Sequence, residues 1–365
     1  MKRLASLFLA LILACSLMAC GAKDDSTKDD PDTSEKTYKI ALVMPTMRND
    51  QFCISAYNGF METAAQYDGK VETIVCECEA DADYEEQMRA CVAEGVDMLI
   101  GLSWQAGTGI DAVAKDFPDA CKYVLIDSTV DNENVVCIGY YDAEGAYLIG
   151  MLAGLICDDL WDEGDQHVYG CINVTQSASS WQWRYGYYEG VKAIDPDAVF
   201  TQNYVLGYSE VNLAHDYATQ MAELGCKFVN SCASGGDPGT FAAALEKGFY
   251  TSGQVSDLTD PENPYIASCQ IKDSYATIKY VMDKFMTEGP DGWVNENLTL
   301  GVAEGAIGAV HVTHESKNPI PEVLTADDIA QLKDVAAQMK DGTLSIDLHT
   351  LPEESAVSAN YTLIG

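Results

Sequence analysis

From Tyr38 onward, short apolar runs alternate with segments whose apolar positions recur every three or four residues. The runs read as strands at 38–44, 71–76, 97–102, 123–126 and 135–138, and the segments between them as helices near 52–66, 83–94 and 108–117. A second series has strands at 167–174, 199–206, 227–231 and 249–255, with helices at 181–194, 210–224 and 238–247. Strands alternating with helices build parallel sheets covered on both faces. Two complete series predict an α/β chain of two lobes, each a parallel sheet wrapped by helices.

The regularity breaks at Asp260-Pro261-Glu262-Asn263-Pro264. Beyond it the pattern gives a strand at 265–270, a long helix at 274–286, strands at 298–302 and 309–313, and a helix at 326–340. Single segments left over after two full lobes are best explained as crossings between them. The expected hinge has three strands, near 139–142, 268–272 and 296–302. On this reading residues 38–141 plus 270–297 form lobe I, residues 142–269 plus 298–350 form lobe II, and residues 351–365 are a tail.

The stretch from Lys122 to Ile156 organises the chain. A strand ends on Asp127 and Ser128, a turn and a second strand follow, and a helix opens at Asp142. Carboxylates at strand ends, followed by helix N-termini, are where open α/β sheets bind ligands.

The N-terminus adds an address. Lys2 and Arg3, the apolar run 7–14, and Leu17-Met18-Ala19 before Cys20 read as a secretory signal over 1–19, its apolar run too short to span a bilayer. Leu-x-Ala-Cys also resembles a lipoprotein box, with Cys20 as the lipidation site, and residues 20–37 read as a lipidated disordered tether. The expected location is extracytoplasmic, at the cell membrane, anchored by that lipid. Formal net charge is −36, which disfavours nucleic acid and broad contact with anionic lipid. Of 13 cysteines, setting aside Cys15 and Cys20 leaves eleven, an odd number seated mostly in apolar strand and helix patterns. They read as small buried hydrophobes, with room for one or two disulfides.

Several motifs lead nowhere. Gly107-x-Gly109-x-x-Ala112 resembles a dinucleotide fingerprint but does not open the first βα unit. Cys76 with Cys78, and His311 with His314, supply two ligands each, short of a tetrahedral metal site. No G-x-S-x-G, H-E-x-x-H or phosphate loop occurs. No enzyme, cofactor or metal is expected.

The order and spacing of other motifs carry a resemblance. Asp116-Phe117-Pro118-Asp119, Tyr123 to Asp127, Ala143 to Gly154, Gly186 to Lys192, Ala233-Ser234-Gly235-Gly236 and Ala267 to Lys272 resemble the basic membrane protein family of ABC-transporter substrate-binding lipoproteins. The resemblance covers most of 38–345. It implies a two-lobed periplasmic-binding-protein type I fold, a purine nucleoside bound between the lobes, and a membrane permease as partner of what is expected to be a monomer. It further implies a base stacked between two rings, a ribose held by carboxylates, and a lysine reading the base edge.

Carried over by motif, the first ring is Phe52, followed by Cys53 where the family pattern has asparagine. The second ring is Tyr208, the ribose carboxylate is Asp127, and Lys272 is the lysine. Asp257 remains from the family's Gly-Val-Asp-x-Asp, whose first aspartate is Val255 here. Gly235 and Gly236 let backbone approach the ligand. Trp104, directly after a strand, is placed to replace or supplement a stacking ring; Trp181 is expected to face the cleft and Trp183 the core. Physical chemistry agrees with these roles: each stacking partner is worth on the order of 1–3 kcal/mol, a carboxylate suits vicinal hydroxyls, and a buried lysine needs Asp127 or Asp257 beside it. The alternatives are a sensor that presents its closed state to a signalling receptor, and an importer component for a non-nucleoside solute. An exported nucleoside hydrolase is a third reading, and it would form product on incubation.

Overall fold

The computed structural model describes residues 36–48 and 50–364. The signal over 1–19, the lipidation at Cys20 and the tether before Lys36 lie outside the described residues. Among the described residues no helix is long and apolar enough to cross a membrane.

In chain order the first lobe opens with β1 (Tyr38–Pro45), α1 (Gln51–Gln66), β2 (Val71–Cys78), α2 (Asp81–Ala93), β3 (Met98–Leu102), α3 (Ala106–Asp116), β4 (Lys122–Ile126) and β5 (Val135–Tyr140). The second follows with α4 (Asp142–Cys157), β6 (Val168–Asn173), α5 (Ala178–Ile194), β7 (Val199–Tyr204), α6 (Val211–Glu223), β8 (Phe228–Cys232), α7 (Asp237–Lys247), β9 (Tyr250–Val255) and β10 (Ile266–Lys272). The chain then adds α8 (Ser274–Gly292), β11 (Leu298–Leu300), β12 (Ile307–Ala309) and α9 (Ala326–Lys340).

Two six-stranded sheets result, ordered β11-β5-β4-β3-β1-β2 and β12-β10-β9-β8-β6-β7. Every pairing is parallel except β10 with β12. β3 and β4 are buried at every residue, as unbroken apolar runs in a doubly covered sheet must be. In both sheets the order reverses beside the first strand, at β1/β3 and at β6/β8, and ligands of open α/β sheets collect outside the strand ends at such points.

The chain crosses between the sheets at Tyr141, at Asp273 and over residues 301–306. Residues 298–300, assigned to lobe II by sequence, pair instead with Ile138–Tyr140 and extend the first sheet. A three-residue strand carries no pattern that says which sheet edge it joins. β10 likewise continues in the second sheet to Lys272. The tail closes the outer edge of the second sheet, where the Phe200 amide donates to the Thr362 carbonyl and the Ile364 amide to the Phe200 carbonyl.

Helix α4 is buried along nearly its whole length, because α5 packs on it through glycines. A methyl group at Gly150 would strike the Tyr187 carbonyl, and one at Gly190 the Tyr147 carbonyl. Gly150, Gly154, Gly186 and Gly190 of the 143–154 and 186–192 motifs thus set a close contact between α4 and α5, and Gly145 one with Gln270 and Ile307 of the sheet.

Candidate functional site

Between the lobes lies a cavity of about 510 Å³, walled by the carboxyl ends of strands from both sheets. Lobe I contributes Asp50 and Phe52 at the start of α1, Ser103 and Trp104 after β3, and Asp127 after β4. Lobe II contributes Asn173 at the end of β6, Trp183 from α5, Tyr208 after β7, Ser234 after β8, Gln254 on β9 and Lys272 on β10. A second, outer space of about 840 Å³ shares Trp104, Asp127 and Ser177 to Ser179 with it.

The strand ends are bent to make this wall. Ser103, Asp127, Ser234 and Val255 adopt left-handed backbone, with φ of 75°, 65°, 57° and 74°. Such φ values are costly for residues other than glycine, most of all for β-branched Val255, and their gathering around one cavity is typical of functional sites.

Lys272 is the electrostatic centre. Its ammonium is buried, 2.7 Å from Asp127 Oδ1 and 3.0 Å from Asp142 Oδ2. It lies 4.9 Å from the Tyr140 ring centre and 5.4 Å from that of Phe52. Burial alone would lower the lysine pKa, but the two carboxylates outweigh it and the pKa is raised. Burial pushes the Asp142 carboxyl up to about 6, against the opposing pull of Lys272. Asp50 caps α1, its Oδ1 accepting from the Phe52 amide at 2.9 Å. Burial raises its pKa, opposed by those backbone bonds and by Ser234 across the cleft.

At the mouth, Trp104 Nε1 donates to the Tyr208 hydroxyl at 2.9 Å. This bond spans the lobes between side chains that are 54% and 42% exposed.

The structure therefore brings together Phe52, Trp104, Asp127, Tyr208 and Lys272. Cys53, in contrast, points into the core with 1% exposure, because it follows Phe52 around the first turn of α1. Gly235 and Gly236 are buried in a turn behind Ser234, where the Gly235 amide donates to the Tyr208 carbonyl at 3.0 Å. They position Tyr208 and do not line the cavity. Asp257 is turned away, its carboxylate accepting from Ser316 Oγ and Thr259 Oγ1, both at 2.5 Å. The partners of Lys272 are accordingly Asp127 and Asp142.

Both tryptophans of α5 face the space between the lobes: Trp181 lines the outer space, and Trp183, expected in the core, lines the inner cavity. The helix begins at Ala178, capped by Ser177 Oγ, rather than at Trp181. At the outer space Trp181 is fixed by its Nε1, which donates to the Pro352 carbonyl at 2.8 Å. Sequence reasoning missed Asp50, Asn173, Ser234 and Gln254 as well. Asn173 did leave a signal, as the polar residue that ends an otherwise apolar strand.

Among the described residues no three His, Cys, Asp or Glu side chains are grouped to hold a metal. Gly109 of the fingerprint-like motif packs α3 on α2, where a methyl group would sit 2.9 Å from the Glu85 amide nitrogen.

Comparison with known proteins agrees with this geometry. A family described as ABC transporter substrate-binding protein PnrA-like matches residues 37–344. A CD4+ T-cell-stimulating antigen of Listeria innocua is 28% identical over 251 residues, 67% of this chain and 68% of that relative. The ABC transporter nucleoside-binding protein BmpA of Lactococcus lactis is 22% identical over 352 residues, 92% of this chain and 97% of that protein. A solved ABC transporter solute-binding protein from Aeropyrum pernix superposes with a TM-score of 0.74 at 16% identity, covering 88% of this chain and 96% of that one, a likeness of fold. Two parallel-dominated sheets, a cleft at their strand ends and a family match across nearly all the described residues converge: the chain belongs to the PnrA-like family of ABC transporter substrate-binding proteins, which bind substrates and are not enzymes.

Proposed function

We propose that the cleft binds a purine nucleoside, that the lobes close over it, and that the closed protein, anchored outside the membrane by a lipid on Cys20, delivers it to an ABC permease. The observation that carries the ligand class is the lining of one cavity by Phe52 and Trp104 from one lobe and Tyr208 and Trp183 from the other, together with Asp127. Aromatic faces from two lobes suit a flat heterocycle, and contacts to both lobes favour the closed form. Asp127, facing the cavity at a strand end, offers acceptors to sugar hydroxyls. The nucleoside-binding relative in Lactococcus lactis supports the same ligand class.

The charge pattern narrows it further. Among the described residues lining the cavity, Lys272 is the cation, and its ammonium is committed to Asp127 and Asp142. Asp50 adds a further carboxylate. A phosphate would meet carboxylates with no free cation, so nucleosides fit and nucleotides do not. Isothermal titration of the refolded soluble form beginning after Cys20 tests this with adenosine, guanosine, inosine, cytidine, uridine and AMP. One-to-one binding of a purine nucleoside with silence from AMP is expected. Silence from all five nucleosides, or tighter binding of AMP than of adenosine, overturns the reading.

A further inference from the structure

Eleven described cysteines carry free thiols, and among them Cys76 and Cys91 have sulfurs in contact, 3.9 Å apart. Cys76 lies on β2, the outermost strand of the first sheet, and is half-buried; Cys91 lies on α2, which covers that strand, and is 2% exposed. Alternation along β2 places Ile74, Cys76 and Cys78 in the same apolar cluster as Tyr84, Met88 and Cys91 of α2. Neither sulfur takes part in the cleft. We propose that Cys76 and Cys91 form a thiol–disulfide exchange site whose oxidant is a small-molecule disulfide.

The two sulfurs divide the work. The contact with Cys91 pulls the Cys76 thiol down to about 7. The same contact, with burial, pushes Cys91 up. Cys76 is thus the accessible, partly ionised attacker, and Cys91 the buried thiol that resolves. In the first step the Cys76 thiolate attacks one sulfur of RSSR: the small-molecule S–S bond breaks, RS⁻ leaves, and a Cys76–SR mixed disulfide forms. In the second, Cys91 gives its proton to the departed RS⁻ and its sulfur attacks Cys76 Sγ. The mixed disulfide breaks, a second RS⁻ leaves and takes a proton from water, and the Cys76–Cys91 bond closes. Two protein thiols are oxidised by two electrons, and RSSR is reduced to two RSH. The sulfurs must approach from 3.9 Å to about 2 Å. A strand paired on one side only can shift that far more easily than a central strand can.

The chain itself supplies the assay. Trypsin cuts after Lys70, Arg89 and Lys115, so Cys76 and Cys91 fall in separate peptides, 71–89 and 90–115. Full-length protein, purified reduced, is held in buffers of rising glutathione disulfide, quenched by alkylation, digested without reductant and mapped by mass spectrometry. A cross-link joining the two peptides is expected, persisting in Cys78→Ser and lost in Cys76→Ser and Cys91→Ser. Oxidant should raise the melting temperature of the wild type by a few degrees, by constraining the unfolded chain, and leave Cys76→Ser unmoved. Three results overturn the proposal: a stable glutathione adduct on Cys76 with no cross-link, a cross-link lost in Cys78→Ser, or both thiols still alkylated at oxidant levels that modify other cysteines.

Discussion

Two aspartates, each in the first turn of a helix beside the cleft, are buried by the same fold and answered differently. Asp142, at the start of α4, has Lys272 Nζ at 3.0 Å. Asp237, at the start of α7, forms no ion pair among the described residues; its Oδ1 accepts from Ser231 Oγ at 2.7 Å and the Ala233 amide at 2.8 Å, and its Oδ2 has no hydrogen-bond partner. Burial lifts both pKa values, Asp142 to about 6 and Asp237 to about 8, the opposing bonds from Ser231 and Ala233 notwithstanding. A buried carboxyl is neutralised either by a counter-ion or by a proton. The fold uses a counter-ion at the cleft, and a proton in the scaffold behind Ser234.

The largest effect should come from breaking the first arrangement. Lys272→Met leaves Asp127 and Asp142 facing each other without their cation, which typically costs about 3–5 kcal/mol. Denaturant unfolding at pH 7 measures it, and the loss should shrink towards pH 5 as Asp142 takes up a proton. A loss under about 1 kcal/mol at pH 7 would show that the lysine is not the pair's essential partner.

The second arrangement predicts a pH profile. The folded pKa of Asp237 lies above its unfolded value near 3.8, so the folded state holds the extra proton between those limits. Its contribution is complete below pH 4 and is lost as pH rises towards 8. Asp237→Asn keeps an acceptor for Ser231 and Ala233 while removing the titration. Its stability should match wild type near pH 4 and exceed it by a few kcal/mol near pH 8. Parallel profiles for the two proteins from pH 5 to 8 would remove Asp237 as a source of the dependence.

How much of this was legible in the sequence follows from the range of the forces involved. Strand and helix periods are local, so the elements of both lobes appear in the chain pattern within a few residues. Asp127 and Lys272 were visible because strand ends face clefts by topology. Trp183 was expected in the core, and its place on the cavity follows from how α5 packs within the lobe, a long-range choice that helix periodicity does not state. Asp142 was read as a helix start, and its pairing with Lys272 spans 130 residues. No local pattern encodes such a contact. The placement of residues 298–300 failed for the same reason, since edge pairing is decided by the neighbour.

The mouth of the cleft offers smaller and cleaner tests, because its side chains are exposed. Tyr208→Ala should weaken ligand binding by about 1–3 kcal/mol, read by calorimetry, with little change in melting temperature because the ring is 42% exposed. Trp104→Phe is the finest cut: it keeps a flat ring and removes the Nε1 donor to the Tyr208 hydroxyl. One neutral hydrogen bond at an exposed site is worth about 0.5–1.5 kcal/mol. The bond joins the lobes across the cleft, so its loss should appear as faster ligand release with nearly unchanged association. Stopped-flow measurement on the two proteins separates the rates. A slower association with an unchanged release rate would mean that Trp104 receives the ligand and does not latch the cleft.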